Sequence, residues 1–135
     1  MNLKKKLSFI GCFSIILSIY CLGCSLPTEA FIESTEIGTY VSQVAVIQDQ
    51  HLWVKTYEAK IEFAFVKVNG GTPETPTATA IDTVTNIGGV SPNYSFYNGN
   101  ISGTLAFTDE GVTVNLSRNI SPSLVLKNIL CEKRS

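Results

Sequence analysis

Few side chains in this sequence could carry covalent, metal or acid–base chemistry: one histidine, His51, and four cysteines, Cys12, Cys21, Cys24 and Cys131. His51 lies between Gln50 and Leu52, with Asp49 and Trp53 close in sequence. Acid–base work needs a partner within hydrogen-bond reach, and the expected role of His51 is that of a turn residue between two strands. A lone His and the distal Cys131 give no ligand spacing of the zinc type. Ser34, Ser42 and Ser91 sit in no Gly-x-Ser-x-Gly elbow. The adjacent carboxyls of Asp109 and Glu110 precede Gly111 between apolar runs, where solvated turn acids are ordinary. Gly70-Gly71 and Gly88-Gly89 lack the Lys and following helix of a phosphate loop. No catalytic residue, metal or cofactor is therefore expected, and the chain reads as a non-enzyme.

The strongest chemical candidate is the thiol of Cys24. Met1 to Lys6 is a short basic head, followed by 17 uncharged residues, 7–23, rich in Ile, Leu, Phe and Ser. Basic head, apolar run and small residues form the layout of an export signal. The run is slightly short of the ~20 residues of a comfortable membrane span, although an uncleaved signal anchor is the alternative. Cys21-Leu22-Gly23-Cys24 resembles the lipobox of bacterial lipoproteins, with Gly23 and Cys24 in the family's positions. Cys21 stands where Leu is usual, and Leu22 is bulkier than the usual residue. The resemblance implies diacylglyceryl attachment to the Cys24 thiol and cleavage before it. It implies a membrane-anchored extracytoplasmic protein of the cell envelope; Ser25 at the following position implies the outer membrane. One acyl chain holds only marginally, whereas two or more hold stably.

After residue 23 the chain carries 7 Lys or Arg against 11 Asp or Glu. That acidic balance excludes nucleic acid as an expected partner, since phosphate contacts need clustered cations. With residues 1–23 and Cys24 assigned to export and lipidation, Cys131 is the one remaining thiol. It is expected to be a small hydrophobe ending the last strand, with a reactive thiol as the alternative. Were Cys24 unmodified, a Cys24–Cys131 disulfide would become possible.

The elements that must position these groups follow a period of two. In the stretch 57–65 the odd positions are apolar, while Glu58, Lys60 and Glu62 point the other way. Ile101, Leu105 and Phe107 alternate with Ser102, Thr104 and Ala106, and Val112, Val114 and Leu116 with Thr113, Asn115 and Ser117. Asn69-Gly70-Gly71, Asn98-Gly99 and Asp109-Glu110-Gly111 punctuate the runs as turns. Strands are expected at 40–47, 52–57, 61–68, 80–87, 94–97, 101–107, 112–116 and 124–130. The stretch 72–79 holds Pro73 and Pro76 and is expected to be an exposed loop. Seven or eight short strands without a helix candidate predict an all-β domain, an antiparallel sandwich or an up-and-down barrel. The expected division is a signal over 1–23, a lipidated tether over 24–36 and the β-domain over 37–135.

Four Asn-x-Ser triplets begin at Asn93, Asn100, Asn115 and Asn119. Beside a lipobox, strand alternation explains them better than glycosylation, because Asn115 and Ser117 share the polar face opposite Leu116. Gly38-Thr39-Tyr40 faintly resembles the Gly-x-Trp opening of the lipocalins, with Tyr in place of Trp. That resemblance implies a barrel in which an Arg from a late strand, here Arg118, covers Tyr40. Aromatic residues, Trp53, Phe63, Phe96 and Phe107 among them, would then partly line a cavity. The functional expectation is a protein-binding or structural surface module, with a carrier of a small apolar ligand as the alternative and an enzyme as a distant third. Cavity size separates the first two.

Overall fold

The computed structural model describes residues 30–134. The expected signal segment and Cys24 lie outside the described residues. As expected, the described chain is all-β and antiparallel. It forms β1 (Gly38–Ile47), β2 (Gln50–Thr56), β3 (Ile61–Val66), β4 (Val68–Asn69), β5 (Thr72–Pro73), β6 (Asp82–Val84), β7 (Ile87–Val90), β8 (Asn93–Tyr97), β9 (Ile101–Thr108), β10 (Gly111–Arg118) and β11 (Leu124–Lys133). Apart from the small β4–β5 hairpin, these strands join one sheet in the order β6-β3-β2-β1-β11-β10-β9-β8-β7.

That order is a meander folded into a nearly closed barrel. Within the sheet each strand pairs with the one before it except at β6–β7, and the last, β11, also pairs with the first. The sheet's two ends are β6 and β7, which only Thr85 and Asn86 separate in sequence. They act as one bent strand whose first half pairs with β3 and whose second half pairs with β8. The single strand expected over 80–87 is therefore split. Its hydrogen-bonding partner changes at the bend, which side-chain alternation does not record.

The turns obey local chemistry. Between β8 and β9, the Asn98 Oδ1 accepts the backbone N–H of Asn100 at 3.0 Å and of Ile101 at 2.7 Å. Gly99 follows with φ +94°, which suits glycine. Between β9 and β10, the Thr108 hydroxyl accepts the Glu110 N–H. The turns 57–60, 91–92 and 109–110 mark one end of the barrel, here the base; 48–49, 98–100 and 119–123 mark the opposite end.

Inside, alternation puts Leu52, Val54, Ile61, Phe63, Phe96, Leu105, Val112, Val114 and Leu116 into one fully packed cluster. Each such side chain contributes about 1.5–3 kcal/mol by leaving water. Trp53 does not join them. It lies on the outer face with Val41, Ala64 and Val66, against Val68 and Ile81 of the 67–81 excursion. The expected exposed loop over 72–79 is therefore partly structured: Thr72 and Pro73 form β5, while Thr75, Thr77 and Thr79 are exposed.

The globular part starts before the expected boundary at residue 37. Ala30 donates its N–H to the Ile87 carbonyl and Ile32 donates to the Glu58 carbonyl, both at 2.9 Å. Ile32 is buried in the main core, and a 3-10 turn, Ser34–Glu36, carries the chain across the base. This arm lies where the bent β6–β7 strand leaves β3 for β8. A lone inward apolar residue has no periodicity, so the polar surroundings of Ile32 hid its role.

Candidate functional site

The base of the barrel is organised around a buried acid, Glu36, at the end of the arm. Tyr94 on β8 donates its hydroxyl to Glu36 Oε1, and Ser91 donates to Oε2, both at 2.7 Å. The Glu36 main-chain carbonyl accepts the Tyr40 hydroxyl at 2.8 Å and the Thr56 hydroxyl at 2.7 Å. Tyr94 in turn accepts the Glu33 N–H at 3.2 Å. Four hydroxyls from separate parts of the chain thus satisfy one residue that would otherwise be costly to bury. Burial first, and then the neighbouring Glu36, push the Tyr40 and Tyr94 hydroxyls above the usual tyrosine range. Phe107 fills the space between the two tyrosines, its ring edge-on to Tyr40 at 5.6 Å and to Tyr94 at 5.8 Å.

The opposite end is held by Arg118. Its Nε donates to Asp82 Oδ2 at 3.0 Å, and its Nη1 donates to the carbonyls of Ile120 and Pro122. Arg118 on β10 and Asp82 on β6 are not neighbours in the sheet, so the pair spans that mouth. This corrects the role that the lipocalin resemblance implied. Tyr40 lies at the base beside Phe107, whereas Arg118 ends β10 at the far end. The hydroxyl of Tyr40 is directed to Glu36, and Arg118 does not cover its ring.

Between the two ends the interior is filled by one buried cluster, of which Phe63 and Phe96 are core members, while Phe107 also lines the cleft at the base. Two depressions at the surface are open clefts. One of about 380 Å³ lies at the base beside Thr35, Tyr40, Asp109 and Lys133, and one of about 390 Å³ lies over β7–β9. Neither is an enclosed apolar chamber of the kind a small-ligand carrier uses.

The remaining candidates have structural partners. His51 lies on β2 rather than in the turn, and its Nδ1 donates to the Ser42 carbonyl at 2.8 Å. Ser42 is buried where β1 bulges; its hydroxyl donates to the Val44 carbonyl and accepts the Leu52 N–H. Ser91, which had no distinguishing context in the sequence, is a Glu36 ligand. Asp109 and Glu110 occupy the exposed turn expected of them. Cys131 is fully buried in the core, and burial pushes its thiol up to about 12. Among the described residues, no group of three His, Cys, Asp or Glu is placed to hold a metal ion.

No known protein family, curated protein or solved structure matches this chain.

One irregularity of the barrel stands apart from these satisfied contacts. The ladder between β11 and β1 runs only from Lys133 opposite Tyr40 to Cys131 opposite Ser42. Beyond it, 43–47 of β1 and 124–130 of β11 continue without pairing to each other. Gln43 Nε2 donates to Glu132 Oε2 at 2.9 Å where the strands part. The seam is therefore closed at the base and unzipped toward the far end, exposing two strand edges with Val44 and Val125 beside them.

Proposed function

We propose that this chain is a lipid-anchored surface module of a bacterial cell envelope, and that it binds a protein partner along the unzipped β1–β11 seam. The observation that carries the binding reading is the combination of a filled interior with two unpaired strand edges. An unpaired edge presents main-chain donors and acceptors in strand register, and an extended peptide satisfies them by adding a strand. Residues 43–47, Gln-Val-Ala-Val-Ile, carry no charge and no proline, so nothing in that edge repels an incoming strand. The anchoring reading rests on Cys24 and its basic and apolar leader.

Residue-specific photo-crosslinking in the cell envelope tests the binding reading. A photo-reactive side chain at position 44 or 125 is expected to give a discrete heavier adduct, and one at position 104, on the outer face of β9, is not. Equal labelling at all three positions would remove the seam from consideration. Mass spectrometry of the native chain tests the anchor: the expected mature species begins at Cys24 and carries acyl chains. A retained small apolar molecule in the same spectrum would favour a carrier instead.

A further inference from the structure

The exposed large apolar side chains of the described residues divide by position. Val44 and Val125 flank the seam, and Tyr97 lies at the far end of β8. The other three, Phe31 at 59% exposure, Val90 at 77% and Ile37 at 36%, lie on the arm, at the end of β7 and at the start of β1. Two hydrogen bonds hold the arm along β7: Ala30 N–H to the Ile87 carbonyl and Ser91 Oγ to Glu36 Oε2. Phe31 is therefore fixed beside the strand whose last residue is Val90, while its neighbour Ile32 faces the core.

What covers this apolar rim is set by the chain that precedes it. Ala30 follows Cys24 by six residues, which at full extension span about 20 Å. Whether residues 7–23 stay in a bilayer or acyl chains on Cys24 replace them, the membrane surface lies within that distance of Phe31. Short tethering turns a weak surface affinity into an intramolecular contact at millimolar effective concentration. The exposed charges near the base are mixed, Glu33, Glu58, Asp109 and Glu110 against Lys133 and Arg134, while Lys60 pairs with Glu62. Such a surface suits a neutral lipid interface rather than a strongly anionic one.

We propose that the base of the barrel is a second membrane contact, in which Phe31 and Val90, with Ile37 beside them, enter the headgroup layer of a zwitterionic bilayer. The contact holds the barrel base-down, so that the unzipped end of the seam faces away from the membrane. It rests on the anchoring reading above, and concerns orientation rather than attachment.

The test uses the full-length protein in phosphatidylcholine vesicles, with and without bromine on the acyl chains as a fluorescence quencher. Phe31→Trp and Val90→Trp are compared with Tyr97→Trp, and the signal of Trp53 in the unsubstituted protein is subtracted. Bromine is expected to quench the indoles at positions 31 and 90 at least threefold more than the one at 97. Replacing half of the lipid with phosphatidylglycerol is expected to reduce that difference, and added salt to restore it in part. Protein that floats with the vesicles but shows equal quenching at all three sites overturns the docked base and leaves the anchor standing. Failure to float overturns the anchor, and this proposal with it. Unchanged far-ultraviolet dichroism confirms that each variant folds.

Discussion

Glu36 and Tyr94 are 58 residues apart in sequence, yet the tyrosine hydroxyl lies 2.7 Å from the Glu36 carboxyl oxygen at the buried base of the barrel. This bond joins the N-terminal arm to β8, and Ser91 reinforces it on the second oxygen. The arm closes the sheet where its two ends diverge, so the pair fastens the first described segment to the barrel.

Glu36→Ala is expected to destabilise the domain by about 3 kcal/mol, because two hydroxyls lose a hydrogen-bond acceptor in a buried site. Glu36→Gln keeps one carbonyl acceptor and an amide that can donate to Ser91, and is expected to cost less than half as much. Urea unfolding followed by Trp53 fluorescence measures both. Equal losses would show that shape, rather than hydrogen bonding, decides the site.

Stability should fall steeply in alkali because of Cys131. Its thiol has an ordinary value of 9.0 and is pushed up to about 12 in the fold by burial. Between those values the unfolded chain gives up a proton that the folded chain keeps. The contribution is complete below pH 9 and disappears as pH rises toward 12, at about 1.4 kcal/mol per pH unit. Tyr40 and Tyr94, also raised, act in the same direction at higher pH. From pH 8 to 10.5 a Cys131→Ala variant is expected to lose roughly 2 kcal/mol less than the parent. An aromatic disulfide reagent should reach the thiol only on unfolding.

The strands were legible because a half-buried strand must alternate and its turns must be punctuated. Ile101 to Leu116 shows both signals, and the register of β9 with β10 follows them. The bend at Thr85 and Asn86 was not legible, since changing the strand partner leaves side-chain alternation untouched. Trp53 misled for a related reason: its β2 outer face is apolar only because the distant 67–81 excursion covers it. The base cluster was least visible. Glu36 among the acids of an apparent tether carries no mark of burial until β8 supplies Tyr94.

Gly103 is expected to be more crowded against a side chain than Gly70, Gly71 or Gly99, beside which a Cβ meets open space. A Cβ there would run into the Asn115 carbonyl and come within 2.8 Å of the Phe96 ring, so strand β10 or the core would have to move. Gly103→Ala should cost about 1–3 kcal/mol, the usual range for overpacking. Thermal unfolding measures it, and a neutral result would mean that β9 shifts without resistance.

Arg118 offers a test of how the far mouth is held. Its bond to Asp82 links strands that do not pair, and its other donors satisfy two carbonyls of the β10–β11 loop. Arg118→Ala leaves those carbonyls and Asp82 without their partner, and is expected to cost on the order of 2 kcal/mol. Asp82→Ala removes only the ion pair. Because the Asp82 side chain is 23% exposed, solvent weakens that pair, and the expected loss is smaller, about 1 kcal/mol. In the double variant the loss should match that of Arg118→Ala alone to within about 0.5 kcal/mol, since the arginine carries both roles. A double variant whose loss equals the sum of the two singles would mean that Arg118 acts only on its loop, leaving the mouth to the packing beneath it.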